Sequence, residues 1–308
     1  MTDAELAPLG PRGPVAGGRD LAVPGDGVRL AATRWQGTGP PVLLLHGLAS
    51  QRRFWNLVVP GLAGLPVVAL DQRGHGDSER PETGYDEATV VRDLTTALDA
   101  LGLSRVVVVG HSWGAMVALA FAARHPERAL AVVAVDGGIT SVAQRWSREE
   151  ARVALAPPRF ALAPEELRSR LRDTWIAAFW SPEVEDAALP IFGVGPNGLA
   201  RARLPFDRHM QVVDALYDYD PAMTLGAVRA PCWLVSALPL PEDEPDQEWR
   251  DHWEAATARA ATALHRPHLI RVQPAVHDLP LQHPALVAGI VRAAVAEAAA
   301  PGADEGSP

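Results

Sequence analysis

Lysine is missing from this chain of 308 residues; all 28 of its cationic residues are arginine. That absence excludes Schiff-base lysine chemistry, a lysine general base and a phosphate-loop lysine. Cysteine is almost as scarce. The single Cys232 has no partner for an internal disulfide, which fits a reducing compartment, and the reading from sequence is a cytoplasmic protein. Positive charge is in the minority, with 28 basic against 37 acidic residues and a net charge of −9, which argues against a dedicated nucleic-acid binder, since that would need a basic surface to displace counterions. Apolar runs are no longer than strands, which argues against a membrane span. The opening MTDAELAPLGPRG lacks a basic stretch followed by an apolar one, so no secretory signal is read there. H-E-x-x-H, C-x-x-C and a strand followed by G-x-G-x-x-G are all missing, so neither a metal nor a cofactor is expected. A small-molecule substrate is the partner that remains.

What is present reads as a globular α/β chain. Hydrophobic residues make up 48% and charged residues 21%, enough for a sizeable core. Residues 1–18 and 300–308, rich in Pro, Gly and Ala, read as disordered tails. A hairpin is expected at 19–35 around Gly25-Asp26-Gly27. Then apolar runs alternate with amphipathic segments: strand 41–46, helix near 53–63, strand 66–71, helix 86–101, strand 105–111, helix 113–124 and strand 129–136. The rhythm resumes with strand 231–238, helix 245–264, strand 268–274 and helix 283–299. Continuous Val/Leu/Ala runs between helices are what a parallel sheet buried on both faces requires. Residues 140–225 break the pattern with repeated prolines and helical patches, too long for a plain loop. The predicted architecture is a doubly wound, mostly parallel α/β core (19–139 and 226–299) with an inserted helical cap (140–225), in which Gly193-Val194-Gly195 reads as loop.

Within the core, Gly110-His111-Ser112-Trp113-Gly114 follows a run of valines and opens the helix AMVALAFAARH. This is the G-x-S-x-G nucleophile elbow in its confirming context: glycines two residues either side leave room for a sharp strand-to-helix turn that lifts the serine hydroxyl clear of the sheet. Together with His46-Gly47, Asp71-Gln72-Arg73-Gly74-His75-Gly76, His125-Pro126-Glu127-Arg128 and a late histidine, the chain resembles the α/β-hydrolase-fold superfamily. The resemblance covers roughly 19–138 and 226–299. It implies a serine hydrolase in which Ser112 forms an acyl-enzyme and the backbone N–H groups of Leu48 and Trp113 form the oxyanion hole. It also implies a base in the loop after the last strand, where His277 stands. His46, Asp71 and Arg73 read as loop-bracing residues, while His75 is left between that role and the site.

The acid departs from the family pattern. The usual position, three residues beyond a glycine after the strand following the cap, falls on Leu240, with Ala237 in place of the glycine. Two alternatives stay open: Asp136 at the end of strand 129–136, as in haloalkane-dehalogenase-like branches of the fold, or Glu242/Asp243 in the acidic run 242–254. The cap offers Trp175, Phe179 and Trp180 for an apolar substrate pocket, though they serve equally as the lid's own core. The favoured reading is a cofactor-independent serine hydrolase cleaving a carboxylic ester of a small, moderately hydrophobic substrate. Alternatives are a proline-iminopeptidase-like or other amide or C–C hydrolase with the same residues, its amine held by Glu183, Glu185 or Asp186, and a non-catalytic binding protein on this scaffold.

Overall fold

The computed structural model describes residues 6–10, 13, 17–174, 176–239 and 247–300. In chain order the elements are β1 (Ala7–Pro8), β2 (Gly18–Pro24), β3 (Arg29–Trp35), β4 (Val42–Leu45), β5 (Val67–Asp71), α1 (Glu87–Ala100), β6 (Val106–His111), α2 (Trp113–Arg124) and β7 (Ala129–Val135). There follow α3 (Arg148–Ala154), α4 (Pro164–Arg172), α5 (Pro182–Ala188), β8 (Phe192–Val194), β9 (Ala200–Ala202), α6 (Phe206–Asp218) and α7 (Pro221–Leu225). The chain closes with β10 (Cys232–Ala237), α8 (Gln247–Ala263), β11 (Pro267–Val272), α9 (Leu279–Gln282) and α10 (Pro284–Ala299).

Eight of these strands form one sheet in the order β11-β10-β7-β6-β4-β5-β3-β2, with β2 and β3 antiparallel and every other pairing parallel apart from β3 with β5. Each central strand is buried on both faces, so its residues alternate between two cores. Leu43, Leu45, Val106 and Val108 face a cluster with Leu94 of α1, Phe121 of α2 and Ala256 of α8. Val42, Leu44, Val107 and Val109 face a second cluster with Val287 and Val291 of α10. This explains the unbroken apolar runs: a period-two strand between two apolar layers has no solvent face on which to place polar residues. No helix among the described residues is long and apolar enough to cross a membrane.

The segment 140–225 packs over loops that follow the carboxyl ends of parallel strands. Ala187 of α5 accepts a hydrogen bond from Gln51 Nε2 at 3.3 Å, and the Tyr219 hydroxyl donates to the Gly138 carbonyl at 2.9 Å. Arg208 and Gln211 of α6 donate to the carbonyls of Pro81 and Glu82.

Several elements differ from the sequence expectation. The segment 140–225 is not purely helical: β8 and β9 form an antiparallel hairpin that includes Gly193, read from sequence as loop. Residues 1–18 are not tail throughout, because Ala7 and Pro8 pair with Val194 and Gly193 to make a three-stranded sheet. Glycine is required there, since a Cβ on Gly193 would lie 2.6 Å from the Cβ of Leu6. The helix expected near 53–63 is two 3₁₀ turns, Arg52–Trp55 and Val59–Leu62. Pro60 lacks the N–H an α-helix would use and Gly61 and Gly64 weaken its continuation. The tail 300–308 lies, after Ala300, outside the described residues.

Candidate active site

The elbow is a backbone feature before it is a chemical one. Ser112 sits between β6 and α2 with φ 55° and ψ −119°, a conformation that L-residues rarely adopt, and its side chain is half-buried. Its N–H is bound to the Val135 carbonyl at 2.9 Å, which pins the turn to the end of β7. Strain of this kind persists only where surrounding packing enforces it. Here Gly114 lies so close to the β4 loop that a Cβ on it would meet the Leu45 carbonyl oxygen at 2.4 Å and that of His46 at 2.5 Å.

The loop after β4 is fixed by two buried neutral histidines. His46 Nδ1 donates to the Gly47 carbonyl at 2.7 Å, and its Nε2 accepts the Gln72 N–H at 3.1 Å. His75 Nδ1 donates to the Arg73 carbonyl at 2.9 Å, while its Nε2 accepts the Ala49 N–H at 3.2 Å. The His75 ring stacks on Trp113 at 5.2 Å. Burial pushes His46 down to about 4 and holds His75 well below the ordinary histidine value, so both stay uncharged at neutral pH. Of the two placements open for His75, the bonds put it in the bracing of this loop.

Leu48 lies between the anchored Gly47 and Ala49. Trp113, the first residue of α2, has an N–H without an intrahelical acceptor by virtue of its position. Asp71 and Arg73 brace the next loop. Asp71 accepts the N–H groups of Arg52 at 2.6 Å and Asp77 at 2.7 Å, and Arg73 forms a two-pronged pair with Asp93 at 2.5 and 2.7 Å.

His277 occupies the loop between β11 and α9 with its side chain 53% exposed. Two contacts orient it. His111, the residue before Ser112, donates from Nε2 to the His277 carbonyl at 2.8 Å, and the two rings lie 4.7 Å apart. His277 Nδ1 donates to Asp136 Oδ2 at 2.6 Å. Asp136 follows β7 with φ 49°, its side chain only 10% exposed. Its other oxygen, Oδ1, accepts the Ala237 N–H at 2.9 Å. The end of β10, where the family pattern would put the acid, therefore donates a backbone hydrogen to the carboxylate standing one strand away. Burial pulls the His277 imidazole down, but the hydrogen bond and charge of Asp136, helped by Asp278, outweigh it and leave the group above its ordinary value. His111, whose ring is bonded to a carbonyl and not to a carboxylate, is driven by burial to about 3.

Glu242, Asp243 and Trp175 lie outside the described residues. Phe179 packs, half-buried, against the cluster that holds Phe54, Trp55 and Leu279, the last two residues beyond His277. Trp180 is half-buried with the Arg172 guanidinium 5.7 Å from its ring. Of the acidic residues considered for holding an amine, Glu185 is taken by Arg168 and by Arg172, the latter at 2.8 Å.

Residues 40–164 match a family model described as alpha/beta hydrolase fold. Among curated proteins, the chain is 45% identical over 87 residues to the soluble epoxide hydrolase of a Corynebacterium species, covering 28% of this chain and 30% of that protein. It is 35% identical over 172 residues to epoxide hydrolase A of Mycobacterium tuberculosis, covering 53% and 48%. The chain thus spans about a third to a half of the length of these relatives. Solved structures match over far more of the chain. An E-2-(acetamidomethylene)succinate hydrolase gives a TM-score of 0.73 at 22% identity, covering 91% of this chain and 99% of that one. A thermophilic esterase from Thermogutta terrifontis gives 0.69 at 20% identity, covering 92% and 100%.

Proposed function

The chain has the α/β hydrolase fold, and from that premise we propose that it is a cofactor-independent serine hydrolase that cleaves a carboxylic ester of a small, moderately hydrophobic substrate. The observation that carries this reading is the 2.6 Å hydrogen bond between His277 Nδ1 and Asp136, beside an elbow whose preceding residue holds the His277 backbone. A serine hydroxyl is a poor nucleophile until a base takes its proton, and a base works best when a carboxylate fixes its tautomer.

In the proposed cycle the Ser112 Oγ attacks the ester carbonyl as His277 Nε2 accepts its proton. The tetrahedral oxyanion receives the N–H groups of Leu48 and Trp113. Collapse breaks the bond to the alcohol, which leaves with the proton His277 carries. Water, deprotonated by the same imidazole, then releases the acid and restores Ser112. Donors of the oxyanion-hole kind lower the barrier by about 3 kcal/mol each.

The relatives named epoxide hydrolases require a chemical comparison. A serine alkoxide that opened an epoxide would be left as an ether, which carries no carbonyl for water to attack. Serine at the elbow suits acyl transfer, because an ester intermediate can be hydrolysed. An amine-binding role for the inserted segment is disfavoured at Glu185, whose carboxylate already serves two arginines.

Labelling of the purified protein with a fluorophosphonate probe tests the proposal. Modification at Ser112 that disappears in Ser112→Ala supports a hydrolase, and a folded protein that resists labelling supports a ligand-binding role instead. Turnover of a panel of acyl esters, aminoacyl amides and epoxides then separates the scissile bonds.

A further inference from the structure

A cleft of about 1640 Å³ opens where the inserted segment meets β1 and the loop after β5, and neither Ser112 nor His277 lines it. Its walls are cationic in a chain that is anionic overall. Arg29, Arg53, Arg80, Arg159, Arg201 and Arg203 face it, against Asp20, Asp77, Glu79 and Asp207.

The four acids are already engaged. Asp77 binds Arg52 at 2.9 Å and Arg203 at 2.8 Å; Asp20 lies 3.5 Å from Arg52 and 3.8 Å from Arg53. Glu79 pairs with Arg29 at 3.6 Å and Asp207 with Arg208. Among the described residues, Arg80, Arg159 and Arg201 make no ion pair. Arg80 reaches only the carbonyls of Arg203, at 3.2 Å, and Gly76, at 2.5 Å. Arg201 has a buried Nε without a partner, as has Arg203. The Arg159 guanidinium lies 3.9 Å over the ring of Phe206, and Pro157 and Phe160 extend that apolar wall.

An unpartnered buried N–H is costly, and planar guanidinium groups match tetrahedral oxyanions with paired hydrogen bonds. Three cations without an ion pair of their own favour a doubly charged group over a singly charged one. We propose that this cleft is a second ligand site, built for a phosphate monoester with a short apolar body. The phosphate oxygens meet Arg80 and Arg201, and the body lies against Pro157, Phe160 and the Arg159–Phe206 stack. The site draws on both the inserted segment and the core loop, so its occupant ties one to the other.

The test is calorimetric titration of full-length Ser112→Ala protein with phenyl phosphate, inorganic phosphate and benzoate at matched ionic strength. Phenyl phosphate is expected to saturate one site, with inorganic phosphate about fivefold weaker and benzoate weaker still. Arg201→Gln and the exposed Arg159→Gln should each loosen phenyl phosphate about tenfold. Arg271→Gln, on the exposed face of β11, should leave it unchanged. Absence of saturable binding overturns the proposal, as does affinity undiminished in both Arg201→Gln and Arg159→Gln. Benzoate binding as tightly as phenyl phosphate overturns the assignment of a phosphate. Since Ser112→Ala is used throughout, none of these results bears on the proposed ester chemistry.

Discussion

Asp136 holds His277 at 2.6 Å across a separation of 141 positions in the chain, with its second carboxylate oxygen occupied by the Ala237 N–H. One carboxylate thus secures an imidazole and a neighbouring strand end at once, and it does so from a left-handed backbone position. Replacing Asp136 by Asn keeps the shape but exchanges an acceptor for a donor. On the proposed mechanism, kcat for ester hydrolysis should fall about 10³- to 10⁴-fold with little change in the unfolding midpoint. Asp243→Asn should remain within about twofold of the parent. Steady-state kinetics of the two variants decides between the carboxylates.

The pH profile should carry the same signature. His277 acts as a base only when neutral, and its proton is held above the ordinary value of 6.5 by Asp136 despite the opposing effect of burial. The acidic limb of kcat/KM should therefore lie above pH 6.5 in the parent. In Asp136→Asn the raising influence is gone, so the limb of the residual activity should move to lower pH. A limb that stays in place would separate it from this imidazole.

Stability should depend on pH for a different reason. His46, His75 and His111 are buried and uncharged, with His46 pushed down to about 4 and His111 to about 3. The unfolded chain takes up protons on these groups below pH 6.5 while the folded chain refuses them, so their contribution to stability is complete above 6.5 and is lost as pH falls toward 4. Three such groups give a slope on the order of 3 kcal/mol per pH unit near pH 5.5. Urea midpoints at pH 7.5, 6.5 and 5.5 should fall accordingly, and calorimetry in buffers of different ionisation heat should show uptake of about two protons on unfolding at pH 6.

The close approach at Gly114 gives a prediction that is geometric. A Cβ there would stand 2.4 Å from the Leu45 oxygen and must push the Leu48 loop away from the elbow. Gly114→Ala should lower kcat about 10²-fold, in line with loss of an aligned oxyanion donor, and should lower Tm measurably. Crystal structures of parent and variant would show whether the loop has shifted.

How much of this was legible in the sequence follows from the range of each interaction. The elbow is local: valines, two glycines and an alanine-rich helix lie within twenty residues of each other, and the order itself states the turn. His277 is placed by a single connection, from the last strand to the last helix. Asp136 is harder. Its meeting with His277 depends on β7 lying beside β10, with Val132 opposite Cys232, and on β10 lying beside β11. No local pattern encodes that register, which left Asp136 and the acidic run as open alternatives. The pairing of Ala7 with Val194 is longer still and involves strands too short to show an alternation. The missed 3₁₀ turns at 52–62 arose differently, because apolar periodicity outweighed Pro60 and two glycines that shorten the helix.

The β1–β8 pairing also bears on how far the inserted segment can travel. A segment joined to its core only where the chain enters and leaves it can rotate about the line through those two joints. A third fastening off that line removes the rotation unless the fastening moves as well. Here β1 is that fastening, and residues 9–17 connect it to β2 at the far edge of the main sheet. Nine residues span at most about 32 Å when fully drawn out. While β1 stays paired, that tether sets the largest distance the β8–β9 hairpin can stand from β2, so a wider aperture requires the hairpin to shed its third strand.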